Sequence, residues 1–289
     1  MSKNHKFNTS KQEKRNSILK LSIVFICFAL VIGTVSVAVI VKNNNSFFTD
    51  LFSKETTSGV SESTTQENQL VDLEEELTGE ASILLYCTDR EAEEIYFLAV
   101  VNADMQNRSF DVLPLKTDNP DYINALSTGG EKELVSAVQK AEGLTIDRYV
   151  ASDTDTFALA INYMGGLKYS IAERIEYRTD EYTLILTKGD QTIKGETLLK
   201  YFRYCKTLDQ ETGLRKQGDL ICKMLDEYIT AENVKNGSTI YEKVLSKINS
   251  KSDISYIEAS KALQMLRLLC ESGEKQPAKV VLEQTGGNE

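Results

Sequence analysis

A chain of 289 residues with a formal net charge of -10 and one histidine excludes a good deal at once. That histidine is His5, so the body of the chain can run neither Ser-His-Asp nor Cys-His chemistry, and it cannot build a His-based zinc site. The acidic excess lies beyond residue 42, because residues 1–42 hold seven Lys+Arg against one Glu, and a body of that sign does not bind nucleic acid through bulk charge.

Residues 1–20 form a basic tail carrying Lys3, Lys6, Lys11, Lys14, Arg15 and Lys20. Leu21 to Val41 follow without a charge. At about 1.5 Å per residue such a stretch spans a bilayer core, so 21–41 is predicted as a single transmembrane helix. The positive-inside rule puts the tail in the cytoplasm and the remainder on the outer face of the plasma membrane. The competing reading is a cleaved signal peptide with Ser36-Val37-Ala38 as its processing site, but the apolar stretch exceeds the usual signal core of about 7–15 residues. Residues 42–79, rich in Ser, Thr, Glu and Gln, read as a flexible stalk with little to bury, apart from a possible helical turn at "DLEEEL", 72–77.

The globular part is predicted over 80–289. "ASILLYCTD", 81–89, is a continuous apolar run of the kind that makes a buried strand. Glu94 to Asp104 and Ser109 to Leu115 are two more, joined by a link short enough for a hairpin. "NPD", 119–121, reads as a turn. Residues 131–142 put Leu134, Val135 and Val138 on one helical face. "TIDRYVASD" reads as a strand and "TDTFALAINYMGG" as a capped helix. "GLKYSIAERI" and "YTLILTKGDQTI" read as further strands or edges. Helices are predicted at 194–206, 214–230, 238–249 and 255–270, and the tail from Lys279 as a last strand. Strands interleaved with helices give an α/β fold, an α-β-α layered domain whose early hairpin makes the central sheet mixed. Cys87, Cys205, Cys222 and Cys270 allow three disulfide pairings, and their spacing selects none.

There is no P-loop, no GxSxG and no GxGxxG, which leaves carboxylate, Arg/Lys and hydroxyl chemistry. Asp89 ends the first strand, Glu94 opens the second and Asp118 follows the third. If the strands are neighbours the three carboxylates gather at one edge, and such oxygens suit Mg²⁺ when a phosphate completes its shell. Spacing alone favours three unrelated loop acids. Arg203 and Lys206, three apart, share a helix face, and Arg215 and Lys216 are expected near the start of the next helix, where backbone N–H groups favour anions. A guanidinium fork with a lysine suits a pyrophosphate; a solvated helix corner fits the same spacing.

The order of these segments resembles the LytR-CpsA-Psr family of bacterial surface proteins, from about Ala81 to Leu282. "ILLYCTD" is similar to the family's first strand ending Gly-x-Asp, with Cys87 for the glycine. "EIYFLAVVNAD" resembles Asp-Thr-x-x-Leu-x-x-x-Asn, with Glu94 for the aspartate. "PLKTD" falls at Ser-Ile-Pro-Arg-Asp, and "YINALSTGG" resembles Lys-Ile-Asn-Ala followed by Gly-Gly. "GLTIDRYVASDTDTFALAINYMGGLKYSI" resembles Gly-Ile-x-Ile-Asp-x-Tyr-Val and a helix ending Leu-Gly-Gly-Val. "GDQTIKGETLLKYFRYCK" resembles Gly-x-x-x-Leu-x-Gly-x-x-Ala-Leu-x-Tyr-x-Arg-x-Arg.

The resemblance implies transfer of teichoic acid or a capsule-like glycopolymer from an undecaprenyl-pyrophosphate carrier to peptidoglycan, on the outer face of a Gram-positive-type cell. It implies arginines on the pyrophosphate, carboxylates on Mg²⁺ and an apolar pocket for the prenyl chain. Carried onto this chain, the catalytic set is Asp118, Arg203 and Lys116, the pyrophosphate set Arg203, Lys206 and Arg215, and the metal set Asp89, Glu94 and Asp118. Several family arginines are replaced. Thr117 stands for the one in Ser-Ile-Pro-Arg-Asp, Cys205 or Lys206 for the second of Arg-x-Arg, and Leu214 for one in "ETGLRKQGD". Two expectations follow: a protein that binds the polyprenyl-linked glycan with transfer weakened or lost, or a Mg-dependent phosphotransferase with lysines as replacement cations.

Overall fold

The computed structural model describes residues 79–89, 94–235, 250–254 and 256–282. The expected basic tail, transmembrane span, stalk and helix at 238–249 lie outside the described residues. Among the described residues no helix is long and apolar enough to cross a membrane.

Elements of the described residues are numbered in chain order. β1 (Glu80–Thr88), β2 (Ile95–Asp104) and β3 (Ser109–Pro114) form an antiparallel meander. Helix α1 (Pro120–Glu142) then crosses to β4 (Arg148–Asp153), which lies parallel to β1. β9 (Ser250–Ser252) pairs antiparallel to β4, and β10 (Lys279–Val280) parallel to β3. The six-stranded order is β10-β3-β2-β1-β4-β9, a mixed sheet as expected.

The continuous apolar strands are explained by cover on both faces. Leu84, Tyr86, Leu98 and Val100 face one core with Tyr122, Leu126, Leu134 and Val138 of α1. Ile83, Leu85, Phe97 and Val101 face the other. There they meet α2 (Thr154–Tyr163), α3 (Gly195–Cys205), α4 (Gln210–Tyr228) and α6 (Tyr256–Ser272). α5 (Ala231–Lys235) is a short helix after α4. Phe97, Phe157 and Phe202 fill the space between sheet and helices, with ring centroids 4.7 to 6.2 Å apart. The runs at 166–175 and 182–193 do not extend the main sheet. They form two ribbons, β5 (Leu167–Ile171) with β8 (Gly189–Ile193), and β6 (Ile175–Arg178) with β7 (Thr183–Leu186).

Two helix starts differ from expectation. "NPD" is not a turn but the beginning of α1: the Asn119 side chain accepts from the Asp121 N–H at 3.0 Å, and Pro120 takes the first turn, where its missing N–H costs nothing. The helix kinks at Gly130, which adopts φ 72°, a region that side chains with a Cβ rarely enter. α4 begins at Gln210 rather than 214, capped by Asp209, whose carboxylate accepts from the Thr212 N–H at 3.0 Å. The four cysteines of the described residues are free thiols: Cys87, Cys205 and Cys222 buried, Cys270 half-buried. Burial pushes the Cys205 and Cys222 thiols up to about 12.

Candidate functional site

β1, β3 and β4 run in one direction, so their C-terminal ends share one edge of the sheet with the start of β2. That register brings Asp89, Glu94 and the segment Lys116–Asp118 to the same edge. Asp89 ties the β1–β2 link: its N–H donates to the Glu94 carbonyl and its Oδ1 accepts from the Glu94 N–H, each at 3.2 Å. Above this edge ends α3, whose buried stripe of Leu198, Leu199, Phe202 and Cys205 leaves Arg203 and Lys206 on the rim. Arg203 lies in the last turn and Lys206 at the C-cap, where the helix dipole favours cations.

Glu94 holds both cations. Its Oε1 accepts from Arg203 Nε at 3.1 Å and from Lys206 Nζ at 3.0 Å. A second carboxylate, Glu181 from the β6–β7 turn, accepts from Arg203 Nη2 at 2.5 Å. The guanidinium carbon lies 4.7 Å from the Tyr182 ring centroid and 5.9 Å from that of Tyr96, close enough for cation–π attraction. Burial works against the Arg203 charge, but the hydrogen bond to Glu181 and the charge of Glu94 outweigh it and raise the pKa. For Lys206 burial prevails over the pull of Glu94, and its pKa falls below 10.5. The Glu181 side chain is 69% exposed and that of Glu94 30%. Glu181 is therefore the partner that an incoming anion displaces most easily.

Beside Lys206 a half-open polar cleft of about 150 Å³ runs between the β3–α1 loop and the first turns of α4. Lys116, Thr117 and Asp118 line one wall, Asp209, Gly213 and Gln217 the other. Lys116 and Asp118 are exposed, whereas Thr117 is 4% exposed. Gln217 is 3% exposed, and its Oε1 has no hydrogen-bond partner, which costs about 1–3 kcal/mol in an unfilled interior. Gly213 lets α4 approach α3: a Cβ there would stand 2.4 Å from the Cys205 carbonyl oxygen.

Arg203, Lys206, Glu94, Lys116 and Asp118 thus share one neighbourhood. Arg215 does not line the cleft; with α4 starting at Gln210 it falls in the second turn, where it pairs with Glu211 at 3.2 Å. The carboxylates do not fit a three-ligand ion seat. Among the described residues no three Asp, Glu, His or Cys side chains stand close enough to hold a metal ion, and Glu94 Oε1 is shared by two cations. Glu181, Tyr96, Tyr182 and Gln217 were not foreseen from sequence. Gln217 carries the one available signal, since it stands four residues beyond Gly213 on the same helix face.

The model of the LytR_cpsA_psr family matches residues 104–280. The chain belongs to the LytR-CpsA-Psr family. The match begins at the end of β2, so β1 and most of β2, central in the sheet, lie ahead of it. The chain is similar to the polyisoprenyl-teichoic acid–peptidoglycan teichoic acid transferase TagV of Bacillus subtilis (strain 168), 26% identical over 175 residues. That alignment covers 55% of this chain and 45% of the relative, so the chain spans less than half the length of the curated relative it matches. The crystal structure of B. subtilis TagV superposes with a TM-score of 0.55 at 21% identity, covering 70% of this chain and 84% of that one. Protein gbs0355 from Streptococcus agalactiae gives 0.56 at 17% identity, over 73% and 79%. At these identities what the solved structures share with this chain is the fold.

Proposed function

We propose that this LytR-CpsA-Psr protein is a membrane-anchored component of the cell envelope that binds an undecaprenyl-pyrophosphate-linked glycopolymer, with transfer to peptidoglycan weakened or lost. The reading rests on one observation. Of the cations at the sheet edge, Arg203 and Lys206 are both engaged by Glu94, and Glu181 takes a further Arg203 donor. Thr117 is buried where the resemblance puts an arginine, and Arg215 faces outward with Glu211. A lysine offers a point charge where a guanidinium would offer a planar fork, so what remains can hold an anion but is poorly equipped to stabilise charge on a leaving phosphate. Arg203 orients the bound anion, and the Tyr96 and Tyr182 rings fix the guanidinium that does so.

A second reading, an active Mg-dependent phosphotransferase, is favoured by Lys116 and Lys206 lining one cleft with Asp118. The deciding experiment incubates the full-length protein in detergent with a labelled prenyl-pyrophosphate glycan, peptidoglycan and Mg²⁺. Retention of the glycan without transfer, lost in Arg203→Ala, is the expected result. Transfer that disappears in Arg203→Ala overturns the binding-only reading and establishes the second.

A further inference from the structure

The β5–β8 ribbon and α4 enclose an open hollow of about 680 Å³, whose lining includes Lys168, Ser170, Asp190, Thr192 and Lys223. None of these residues belongs to the cleft beside Lys206. The volume falls within the roughly 300–1,000 Å³ of small-molecule sites. Strand alternation makes the floor polar. Leu167, Ile171 and Ile193 are buried, so Lys168 and Ser170 of β5 and Asp190 and Thr192 of β8, all exposed, share the opposite face. Lys168, Asp190 and Lys223 form no ion pair among the described residues.

The edge of β5 shows what this surface can hold. The Lys168 N–H points away from β8 and donates to Glu227 Oε2 of α4 at 2.9 Å. Two residues on, the Ser170 N–H points to the same side, about 6.8 Å further along the strand. α4 runs back beside β5, since the charge of Asp219, two turns before Glu227, acts on Tyr169. Lys223 precedes Glu227 by one turn, about 6 Å on the same helix face, and so comes level with Ser170. Where the Lys168 N–H meets a carboxylate of the chain itself, the Ser170 N–H is flanked by an ammonium group. The Ser170 N–H and hydroxyl with Lys223 thus form a seat for a carboxylate from outside, in the mode that Glu227 already shows one step away. Asp190 stands directly across from Ser170 in the register, with Cβ atoms about 5 Å apart in such a pair, and offers the complementary seat for a cation.

We propose that this hollow binds a short zwitterionic peptide, with its carboxylate at Ser170 and Lys223 and its ammonium group at Asp190. The two seats lie one to two residues apart on the scale of an extended chain, at about 3.3–3.6 Å per residue, so a dipeptide spans them. A polyanion is disfavoured, because Asp190 and Glu227 flank the carboxylate seat. The hollow takes its ligand whether or not the Arg203 site transfers a glycan.

The test is calorimetric titration of the full-length protein in detergent with alanylalanine, N-acetyl-alanylalanine and alanylalaninamide. The wild type is expected to bind the free dipeptide about tenfold tighter than either blocked form, the worth of one charge-assisted contact. Asp190→Asn is expected to abolish the preference over the acetylated peptide and keep that over the amide. Lys223→Met is expected to do the reverse, and Lys223→Arg, which keeps the charge, to restore the preference that the methionine variant loses. Equal affinity for the three peptides in the wild type overturns the proposal, as does binding of none. An Asp190→Asn or Lys223→Met variant that keeps both preferences overturns the seat assigned to that residue. A Lys223→Arg variant that behaves like Lys223→Met overturns the carboxylate seat.

Discussion

Replacing Glu94 by glutamine is predicted to move stability and anion affinity in opposite directions. Glu94 Oε1 lies 3.1 Å from Arg203 Nε and 3.0 Å from Lys206 Nζ. The side chains of Glu94, Arg203 and Lys206 are 30%, 23% and 19% exposed, so the cluster belongs neither with fully exposed pairs, at about 0–1 kcal/mol, nor with buried pairs whose breaking costs about 3–5 kcal/mol. Loss of the charge facing two cations should cost about 2 kcal/mol, discounted for solvent. For a domain of this size that lowers the melting temperature by roughly 4–8 °C. The same change removes a negative charge from about 5 Å of any anion held by the two cations. At an effective dielectric of about 40 that amounts to roughly 1–2 kcal/mol, or about a 5–30-fold gain in affinity. Thermal unfolding and titration with inorganic pyrophosphate at fixed ionic strength measure the two effects on one preparation. Tighter binding in a less stable protein is the expected outcome. Weaker or unchanged binding would refute the reasoning, because Glu94 would then not compete with a ligand for Arg203 and Lys206.

Lys206 makes stability depend on alkaline pH. Its folded pKa lies below the 10.5 of the free side chain, chiefly through burial, so in that window the unfolded chain binds more protons and stability rises with pH. The difference in urea midpoint between wild type and Lys206→Met should shift toward the wild type as pH rises to 10.5; a flat difference counts against the buried ammonium. Cys87, Cys205 and Cys222 are buried free thiols, so a maleimide should leave them unlabelled in the native protein and label them in guanidinium, and intact-mass counting that finds native labelling of all three would contradict the core. Gly213→Ala sets a Cβ 2.4 Å from the Cys205 carbonyl, which should cost about 1–3 kcal/mol by overpacking. An unchanged melting temperature would show that α4 does not approach α3 as described.

What could be read from the sequence followed physical locality. β1, β2 and β3 were legible because strands covered on both faces are apolar without interruption, and α3 because its buried positions recur at helical spacing. The first half of α1 was hidden by Asn119-Pro120-Asp121, which carries the residues of a turn and of a capped helix start alike. The apolar pattern of α4 starts four residues after the helix itself because its first turn is polar, and that offset misplaces Arg215. β9 is three residues long and has no periodicity to detect. At the site, Arg203 and Lys206 were found from their spacing and Glu94 from its position before a strand. Glu181 was out of reach, since it meets Arg203 only after the β6–β7 ribbon folds over α3. The Gln217 amide becomes notable only when its burial and missing partner are known.

The closing strand carries a consequence for how the cleft is held together. β10 pairs with Asp111 and Val112 of β3. Just ahead of it the Gln276 N–H donates to the Arg108 carbonyl at 2.9 Å, and Lys275 Nζ and the Ala278 N–H both donate to Asp226 of α4, at 2.7 and 3.0 Å. One short stretch near the end of the chain therefore stitches β3 to α4, the two elements that carry opposite walls of the cleft. α4 also packs directly on β3, with Gly218 against Pro114, so this stretch adds a second tie to a contact the two walls already make. A premature stop after Glu274 would leave every residue that lines the cleft in the chain, yet it would strip away the strand and the Asp226 ties that brace its two walls from behind.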